Sequence, residues 1–585
     1  MPKWFISRMA CQPGHNDADR QLFGQARIQR ESANQDARPT SPSDRTFRGQ
    51  WPTPGLCLNG VYEMLEWATE EVGRLQTNDG YIDTHFREPL VGENAFLDMP
   101  PEDVLPPLFE DAWKLLPQPF WDGHEEAIGC YRGAWELAFF NLRRPEPGSG
   151  FVASFIDTAF NDCLFMWDSA FILLFARYGR RAFDFQRTLD NLYASQHPDG
   201  FICREISTLD GRDRFERFDA TSTGPNVMPW TEWEHYNDTA DRDRLARVFP
   251  VLVAYHRWLR RHRTWRDGTY WTSGLGSGMD NQPRFPQSPS RQVGWPERLT
   301  YHGHAVWIDM CLQQILSADL LLRMTEALDR REEVADLREE SDRLFATVNE
   351  RLWNEETGFY HDELSDGTLS GVKTVGAYWA LLAGVVPRER VAAFVRHLED
   401  PQGFGRPHRV PSLSADHPEY DPDGGYWLGG VWPPTNYMIL RGLDRTGYND
   451  LAHEIAREDL DHAVSVFQET GTLWENYAPE RSAPGNRAKS DFVGWSGLAP
   501  IAGLFEYVFG LRADAPAGRL LWDVRLLEGH GVNGYPFGRD AVLDLSCPAR
   551  NSTTEEPEIQ VSSTVSLELV VRWDGGEKTV AVSKA

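Results

Sequence analysis

Long apolar runs are absent from this chain of 585 residues. No stretch reaches the roughly 18 uncharged apolar residues that a membrane span needs, and residues 1–10 lack the apolar core of a signal peptide. The seven cysteines are scattered and odd in number, and no two of them form a C-x-x-C pair. Because this pattern argues against a disulfide framework and a zinc ribbon, we expect a cytoplasmic protein with reduced thiols.

Basic charge is also scarce, and lysine occurs at only six positions. The 87 acidic residues outnumber the 59 basic residues and give a formal net charge of −28. Nucleic acids and anionic membranes are therefore poor partners, and a neutral or cationic small ligand fits better. Tryptophan is abundant, with 22 residues, which indicates stacking surfaces for sugar rings or bases. The sequence leaves the oligomeric state open.

Helical periodicity recurs along the middle of the chain, where strand-like alternation is rare. The pattern predicts helices over 127–142, 162–178, 183–196, 242–262, 304–328, 331–353, 371–382, 388–397, 434–442, 450–467 and 492–509. About eleven or twelve helices joined by loops rich in Gly, Pro and Trp are typical of a ring of helical hairpins, with function carried by loops at one end. A long α-solenoid is the alternative, but no fixed repeat period supports it.

Composition divides the chain into four parts. Residues 1–50 are polar and aperiodic and predict a surface arm or flexible segment, while 51–120 are interpreted as an extension packed on the main domain, with one helix over 61–75. Residues 121–510 form the helical domain. Residues 511–585 hold short runs rich in Val and Leu, with a hairpin turn at 573–576, and predict a small antiparallel β-domain.

A glycine-rich loop over residues 273–284, with the sequence S-G-L-G-S-G-M-D-N-Q-P-R, presents a single carboxylate, Asp280. The glycines allow the backbone to run close to a ligand, and Pro283 prevents a helix from starting there. Taken alone, such a loop is more simply interpreted as a surface turn with a solvated Asp. A phosphate-binding turn is disfavoured because no strand precedes the glycines, no helix follows them and no G-K-[ST] is present.

Two further segments place polar groups beside apolar or turn residues. Trp167 and Asp168 lie inside an apolar run, where a carboxylate is costly unless it is paired or binds a ligand. A paired Asp is the alternative to a ligand contact there. Gln196 ends a predicted helix before a P-D-G turn, and Arg204 and Glu205 follow. Amides and ion pairs of this kind commonly fix sugar hydroxyls.

The end of the helical region combines aromatic residues, glycines and a second carboxylate. One segment reads Y-W-L-G-G-V-W-P-P over 426–434, and another reads W-E-N-Y over 474–477, followed by G-W-S-G-L over 494–498. Core packing explains any single tryptophan here, but several aromatics beside paired glycines favour a ligand platform. Apolar neighbours would raise the pKa of Glu475, whereas an Arg or a hydrogen-bond donor beside it would hold it ionised. Asp280 and Glu475 together are what acid/base cleavage of a glycosidic bond needs.

Taken together, these motifs resemble the ordered signatures of the six-hairpin glycosidases. The matching segments are W-D-S-A-F (167–171), S-G-M-D-N-Q-P-R (277–284), W-I-D (307–309) and the three segments just described, in order over about 350 residues. The sequence is most similar to glycoside hydrolase family 63 and its bacterial mannosylglycerate and glucosylglycerate hydrolase-like relatives, with trehalases more distant. The resemblance implies a mainly α fold, an (α/α)6 barrel, and an inverting hydrolase of α-linked glucose or mannose that needs no metal or cofactor.

The resemblance also implies roles for individual residues. Asp280 would be the general acid that protonates the glycosidic oxygen, and Glu475 the general base that activates water. Asp309 and Trp307 would support the pocket. The residues expected to bind the small carbohydrate substrate are Trp167, Asp168, Gln196, Asn281, Tyr426, Trp427, Gly429, Trp432, Trp474 and Trp495. Many family 63 members have Arg-Gly-Pro where this chain has Leu-Gly-Gly at 428–430, so the sugar preference stays open.

Two alternatives accompany this hypothesis. A glycoside phosphorylase or epimerase could use the same barrel, in which case Arg284 and Arg291 would serve phosphate, although they could equally bind the carboxylate of a glyceryl aglycone. A catalytically silent sugar-binding or scaffold protein is the second alternative.

Overall fold

The computed structural model describes residues 86–102, 104–285, 295–330 and 334–585, and helices are the main regular secondary structure of the described residues before 509. The arm predicted for 1–50 and the helix predicted over 61–75 lie outside these residues, as does Arg291. No helix within the described ranges is both long enough and apolar enough to cross a membrane.

The α-helices of the described residues are numbered in chain order. They are α1 (Phe109–Ala112), α2 (Glu125–Phe140), α3 (Met166–Ala176), α4 (Thr188–Ala194), α5 (Met228–Thr239), α6 (Arg242–His262), α7 (Gly274–Ser277), α8 (Trp295–Thr300), α9 (Ile308–Leu328), α10 (Ala335–Thr347), α11 (Trp379–Ala383), α12 (Arg388–Val395), α13 (Pro433–Thr446) and α14 (Asn449–Thr470). A π-helix over Leu498–Val508, here called the final inner helix, ends the helical region.

Most predicted helices are confirmed, and α6 has the predicted bounds. Helix α5 is missing from the prediction because its sequence, M-P-W-T-E-W-E-H-Y-N-D-T, shows no apolar stripe. Its carboxylates are buried through pairing instead, Glu232 with Arg244 at 2.7 Å and Glu234 with Arg441 at 2.6 Å. Charge pairing thus replaces the apolar periodicity that identifies the other helices.

Six segments form a closed order of contacts at the centre of the helical region. Helix α3 contacts α5, α5 contacts α9, α9 contacts α11, α11 contacts α13, α13 contacts the final inner helix, and this helix contacts α3. Every residue of α3 and of the final inner helix is buried. Between successive members the chain passes in turn through α4, α6, α10, α12 and α14. One helix therefore separates each inner segment from the next along the chain, apart from the short α7 and α8 between α6 and α9.

The described strands are β1 (Gln118–Trp121), β2 (Leu142–Arg143), β3 (Phe155–Ile156), β4 (Cys163–Phe165), β5 (Glu205–Ser207), β6 (Trp353–Asn354), β7 (Phe359–Tyr360), β8 (Leu511–Asp514), β9 (Arg519–Asp523), β10 (His530–Phe537), β11 (Ala541–Cys547), β12 (Gln560–Ser563), β13 (Leu567–Trp573) and β14 (Gly576–Val582). The three pairs β2-β3, β4-β5 and β6-β7 lie within the helical region. Two four-stranded sheets, β1-β10-β11-β12 and β14-β13-β9-β8, form the C-terminal sheet domain.

The C-terminal sheets differ from the sequence prediction in two ways. Strands β9 and β13 pair in parallel, so the prediction of a wholly antiparallel β-domain is wrong at this pair. The chain leaves β9, builds β10 to β12 in the other sheet, and returns as β13, and a long crossover of this kind permits parallel pairing. Strand β1, which precedes the helical region, pairs with β10. The predicted turn at 573–576 is confirmed, because Trp573 pairs with Gly576.

Candidate active site

The predicted site residues lie near the N-terminal ends of the inner segments. Trp167 and Asp168 occupy the first turn of α3, and Asp309 lies in the first turn of α9. The segment 426–432 directly precedes α13, and Glu475 and Trp495 precede the final inner helix. The first turns of the inner segments and the loops that precede them therefore carry most of the candidate residues.

The glycine-rich loop contains one short helix, α7, that the sequence does not predict. Ser273 caps it, with its hydroxyl accepting the N–H of Gly276 at 3.1 Å, and Gly278 ends it with a φ of +71°. A Cβ on Gly278 would lie 3.0 Å from the indole of Trp167. Glycine is needed where the loop passes this ring. Asp280, two residues further on, is partly exposed.

Asn281 connects this loop to the aromatic segment before α13. Its Oδ1 accepts the N–H of Trp427 at 2.9 Å, and its Nδ2 donates to the carbonyl of Gly425 at 3.1 Å. The side chain is completely buried. Both amide atoms are thus engaged within the protein and join the two segments, and a direct sugar contact of Asn281 stays a prediction.

Arg284 anchors the end of the same loop. Its guanidinium pairs with Asp309 at 2.7 Å and with Asp362 at 3.1 Å, and all three side chains are almost completely buried. It also lies 4.4 Å from the ring centroid of Trp307. Asp309 and Trp307 thus hold the guanidinium that ends the loop, and their role as supporting residues of a sugar pocket stays a prediction. Arg284 has no access to a phosphate in this position.

An aromatic cluster lies beside the loop. Trp427 and Trp432 stack with ring centroids 3.9 Å apart and planes 3° from parallel. Tyr426 and Trp495 meet Trp432 edge-on at 4.9 and 5.7 Å. Gly429 has a φ of +150°, and a Cβ there would lie 2.6 Å from a backbone carbonyl oxygen. Tyr426 is partly exposed while the three tryptophans are buried, so Tyr426 is the ring of this cluster that a ligand can reach.

Glu475 is buried and held from several directions. Its Oε2 accepts the N–H of Lys489 at 3.1 Å, and its Oε1 accepts the hydroxyl of Tyr426 at 3.3 Å. The carbonyl of Glu475 accepts the indole N–H of Trp495 at 2.9 Å. The carboxylate is therefore oriented by a backbone donor on one oxygen and a phenol on the other.

Two predicted residues lie outside this cluster. The amide of Gln196 donates to two backbone carbonyls at 3.0 and 3.1 Å and accepts from Asn94 at 3.0 Å, which uses its hydrogen-bonding capacity among the outer helices. These bonds hold Gln196 within the protein, and its predicted contact with the substrate stays a prediction. The indole of Trp474 donates to Thr470 at the end of α14 at 3.0 Å, so this ring is directed away from the other aromatics.

Burial raises the pKa of three carboxyl groups in the cluster. The pKa reaches about 8 for Asp168, about 6 for Asp280 and about 7 for Glu475, and loss of solvent is the largest cause in each case. Glu205 and Glu475 raise the pKa of Asp168 further, and Asp280 raises that of Glu475. Arg204 opposes the rise for Asp280.

Arg204 and Glu205 are absent from the predicted site set, although their charges act on Asp168 and Asp280. The two side chains form an ion pair at 2.6 Å. Glu205 begins β5, which pairs with β4 immediately before α3. The sequence feature that could have identified them is a pair of adjacent opposite charges directly after the apolar residues F-I-C.

The arrangement is suited to proton transfer beside an aromatic surface. Asp280 and Glu475 have pKa values near neutrality, so each can gain or lose a proton in that range. Across the residues that the structure describes, no group of three or more His, Cys, Asp or Glu side chains is arranged to hold a metal ion.

Comparison with known proteins identifies the family of this chain. The profile of the mannosylglycerate hydrolase MGH1-like glycoside hydrolase domain matches residues 163–496, which is more than half of the chain. The chain belongs to this family. As an MGH1-like glycoside hydrolase it is a glycosidase, and the matched range includes Trp167, Asp280 and Glu475.

Individual relatives of this MGH1-like glycoside hydrolase agree with the family match. A mannosylglycerate hydrolase from Thermus thermophilus is 27 % identical over 358 residues, covering 50 % of this chain and 85 % of that protein. A glucosylglycerate hydrolase from Mycolicibacterium hassiacum is 25 % identical over 294 residues, covering 41 % and 64 %. The crystal structure of a GH63 mannosylglycerate hydrolase from Thermus thermophilus in complex with Tris has a TM-score of 0.51 at 22 % identity. It covers 63 % of this chain and 99 % of its own, which shows a shared fold.

Proposed function

We propose that this glycosidase hydrolyses an α-linked glucoside or mannoside with inversion, using Asp280 as general acid and Glu475 as general base. The observation that carries the proposal is that both carboxyl groups have pKa values moved towards neutrality, within the segment that matches a glycosidase family. Asp280 donates a proton to the glycosidic oxygen as the bond to the anomeric carbon breaks. Glu475 takes a proton from the water that attacks the opposite face of the sugar.

The proposed substrate class is a small glycoside of the glycosylglycerate type. Relatives named as mannosylglycerate and glucosylglycerate hydrolases support this class. The hexose would lie against Tyr426 and near Trp167, at the accessible side of the aromatic cluster. Asp168, with a pKa of about 8, would be protonated at neutral pH and could donate a hydrogen bond to a sugar hydroxyl.

The scaffold proposed for this reaction is an (α/α)6 barrel braced by the C-terminal sheets. The closed order of contacts among the six inner segments supports it, as do the helices that lie between successive members along the chain. In such a barrel the loops before the inner helices share one end, and these loops carry Asp280 and Glu475.

Anomer-resolved NMR of the purified protein tests the reaction. The panel consists of glucosylglycerate, mannosylglycerate, trehalose, kojibiose, nigerose, maltose and short α-mannosides. We expect the β-hexose to appear first from one α-linked member. Initial release of the α-anomer would overturn the inverting assignment, and no release from any member would favour the non-catalytic alternative.

Two variants test the residue assignment. Asp280→Asn and Glu475→Gln should each lower kcat by about 10²- to 10⁴-fold, because each removes one proton-transfer group. Binding of the substrate, measured by calorimetry, should be retained. Glu469→Gln removes an exposed carboxylate at the end of α14 and serves as the control with unchanged kcat. Near-normal turnover in either of the first two variants would contradict the assignment.

Hydrolysis and phosphorolysis can be separated directly. Arg284, one of the two arginines considered for a phosphate site, is enclosed by Asp309 and Asp362. We therefore expect inorganic phosphate to leave the rate unchanged and to yield no sugar phosphate in the same NMR experiment. Formation of a sugar phosphate would restore the phosphorylase alternative.

A further inference from the structure

Lys489 and Glu475 are joined through their backbones. The N–H of Glu475 donates to the carbonyl of Lys489 at 3.0 Å, and the N–H of Lys489 donates to Oε2 of Glu475 at 3.1 Å. The neighbouring residues Trp474 and Ser490 form an antiparallel bridge. The position of the proposed base therefore depends on where the backbone of Lys489 lies.

The side chain of Lys489 makes a separate connection to another loop. Its ammonium lies 3.3 Å from the ring centroid of Phe160 and donates to the carbonyl of the same residue at 3.3 Å. The ring of Phe160 also contacts Phe165 at 5.7 Å and Phe492 at 6.2 Å. Phe165 is the last residue of β4, directly before α3. Lys489 thus links the loop that leads into α3 to the segment that holds Glu475.

We propose that Lys489 is a positioning residue for the general base. Its backbone N–H orients the carboxylate of Glu475, and its ammonium, held against Phe160, fixes that backbone and favours the ionised carboxylate. This inference rests on the proposed role of Glu475. Lys489 acts through Glu475 and has no role of its own on the sugar or on the attacking water.

The charges that face Glu475 come from four elements. Lys489 belongs to the segment before the final inner helix, Tyr426 to the segment before α13, Asp280 to the glycine-rich loop, and Asp168 to α3. Burial, the largest influence, and Asp280 raise the pKa of Glu475, whereas Lys489 and Tyr426 lower it. Loss of the ammonium should therefore raise the pKa of Glu475 above its present value of about 7.

The variant Lys489→Met keeps the backbone and most of the side-chain length but removes the charge. We expect kcat to fall by about 10- to 100-fold, with KM little changed, because the base loses its alignment. The pKa of Glu475, about 7, lies above that of Asp280, about 6, so Glu475 governs the alkaline limb of the pH profile of kcat/KM. That limb should move to higher pH. Lys489→Arg should recover most of kcat and the original limb.

Two further variants isolate the contact with Phe160. Phe160→Leu should also move the alkaline limb to higher pH, but by less than Lys489→Met, because the ammonium of Lys489 remains. When it is combined with Lys489→Met it should add little, because both changes remove one interaction. Lys578→Met is the matched control, since Lys578 lies 6.0 Å from the ring centroid of Trp573 in the C-terminal sheets. It should leave kcat and both limbs unchanged.

The outcomes separate this inference from the proposed function. A lower kcat at every pH with an unmoved alkaline limb would overturn the inference, and so would a wild-type profile for Lys489→Met. Glu475→Gln must show the loss of about 10²- to 10⁴-fold in kcat if the proposed function holds, whatever Lys489 does. Thermal unfolding checks that each variant is folded. If Lys489→Met does not fold, an unmoved alkaline limb in folded Phe160→Leu would overturn the inference.

Discussion

The pH dependence of the reaction should show that a single proton shared by the catalytic pair resides mainly on the base, Glu475, and not on the acid, Asp280. The acid must be protonated while the base is ionised, yet the pKa of Asp280 is about 6 and that of Glu475 is about 7. In a singly protonated pair the proton therefore resides mainly on Glu475, and about one molecule in ten has it on Asp280. The productive enzyme is a minority at every pH.

The size of this minority follows from the two values. At about pH 6.5, midway between them, about 6 % of the free enzyme has Asp280 protonated and Glu475 ionised. The profile of kcat/KM should be a narrow bell with limbs near pH 6 and pH 7. The assay is kcat/KM for the hydrolysed member of the glycoside panel, measured from about pH 4.5 to about pH 9 at constant ionic strength.

A single substitution strengthens the test. Tyr426→Phe keeps the ring but removes the hydroxyl that donates to Glu475, so the pKa of Glu475 should rise, the alkaline limb should move to higher pH and the maximum should fall. A broad plateau with an acidic limb near about pH 4 would refute the reasoning, because it would mean a base with an ordinary Glu pKa. Unmoved limbs in Tyr426→Phe would also refute it.

Three further predictions concern the residues around the pair. The raised pKa of Asp168 gives stability that is present below about pH 4 and is lost as the pH rises through about 8. The urea midpoint of Asp168→Asn should therefore rise relative to that of the wild type between about pH 5 and about pH 8.5, and a difference between the two midpoints that does not change with pH would contradict this. Arg284→Met leaves two buried carboxylates unpaired and should lower the free energy of unfolding by about 3–5 kcal/mol. Arg572→Met, at a solvent-exposed ion pair with Glu577, should lower it by about 1 kcal/mol or less, and equal urea midpoints for these two variants would refute the difference. Gly278→Ala places a Cβ against the indole of Trp167 and should lower kcat/KM. Gly447→Ala has a similar φ of +84° but open space around it, so it should lower the stability and leave kcat/KM unchanged; equal kcat/KM in the two variants would show that the contact with Trp167 is unimportant.

The residues that sequence identified best are those whose local chemistry is unusual. Asp280 follows three alternating glycines, and Glu475 lies among aromatics in W-E-N-Y, so each is conspicuous within a few residues. Their mutual connection was not predictable. It depends on Asn281 reaching the backbone of Trp427, which lies far along the chain, and no local pattern encodes that hydrogen bond.

The surroundings of Gln196, the position of the Arg204–Glu205 pair and the pairing of β9 with β13 likewise depend on contacts between distant segments. Gln196 follows a helix and precedes a turn, which suits either a ligand contact or a structural amide, and its bonds with Asn94 and α6 come from other parts of the chain. The sequence of Arg204 and Glu205 indicates an ion pair but not its place, and the influence of the pair on Asp168 and Asp280 comes from its position beside α3. Parallel pairing of β9 with β13 depends on the path of three intervening strands, which periodicity within a strand does not report.

Strand β1 has a consequence for how this chain folds during synthesis. Gln118 to Trp121 pair with Trp121 opposite His530 and Gln118 opposite Asn533, so partners about 400 residues apart must meet before this edge is closed. During translation β1 is synthesised about 400 residues before its partner β10, and its hydrogen-bonding edge has no strand partner over that interval. Strand β10 therefore closes the edge of β1, and a ribosome that stalls before residue 530 would release a chain whose β1 strand is unpaired and open to self-association.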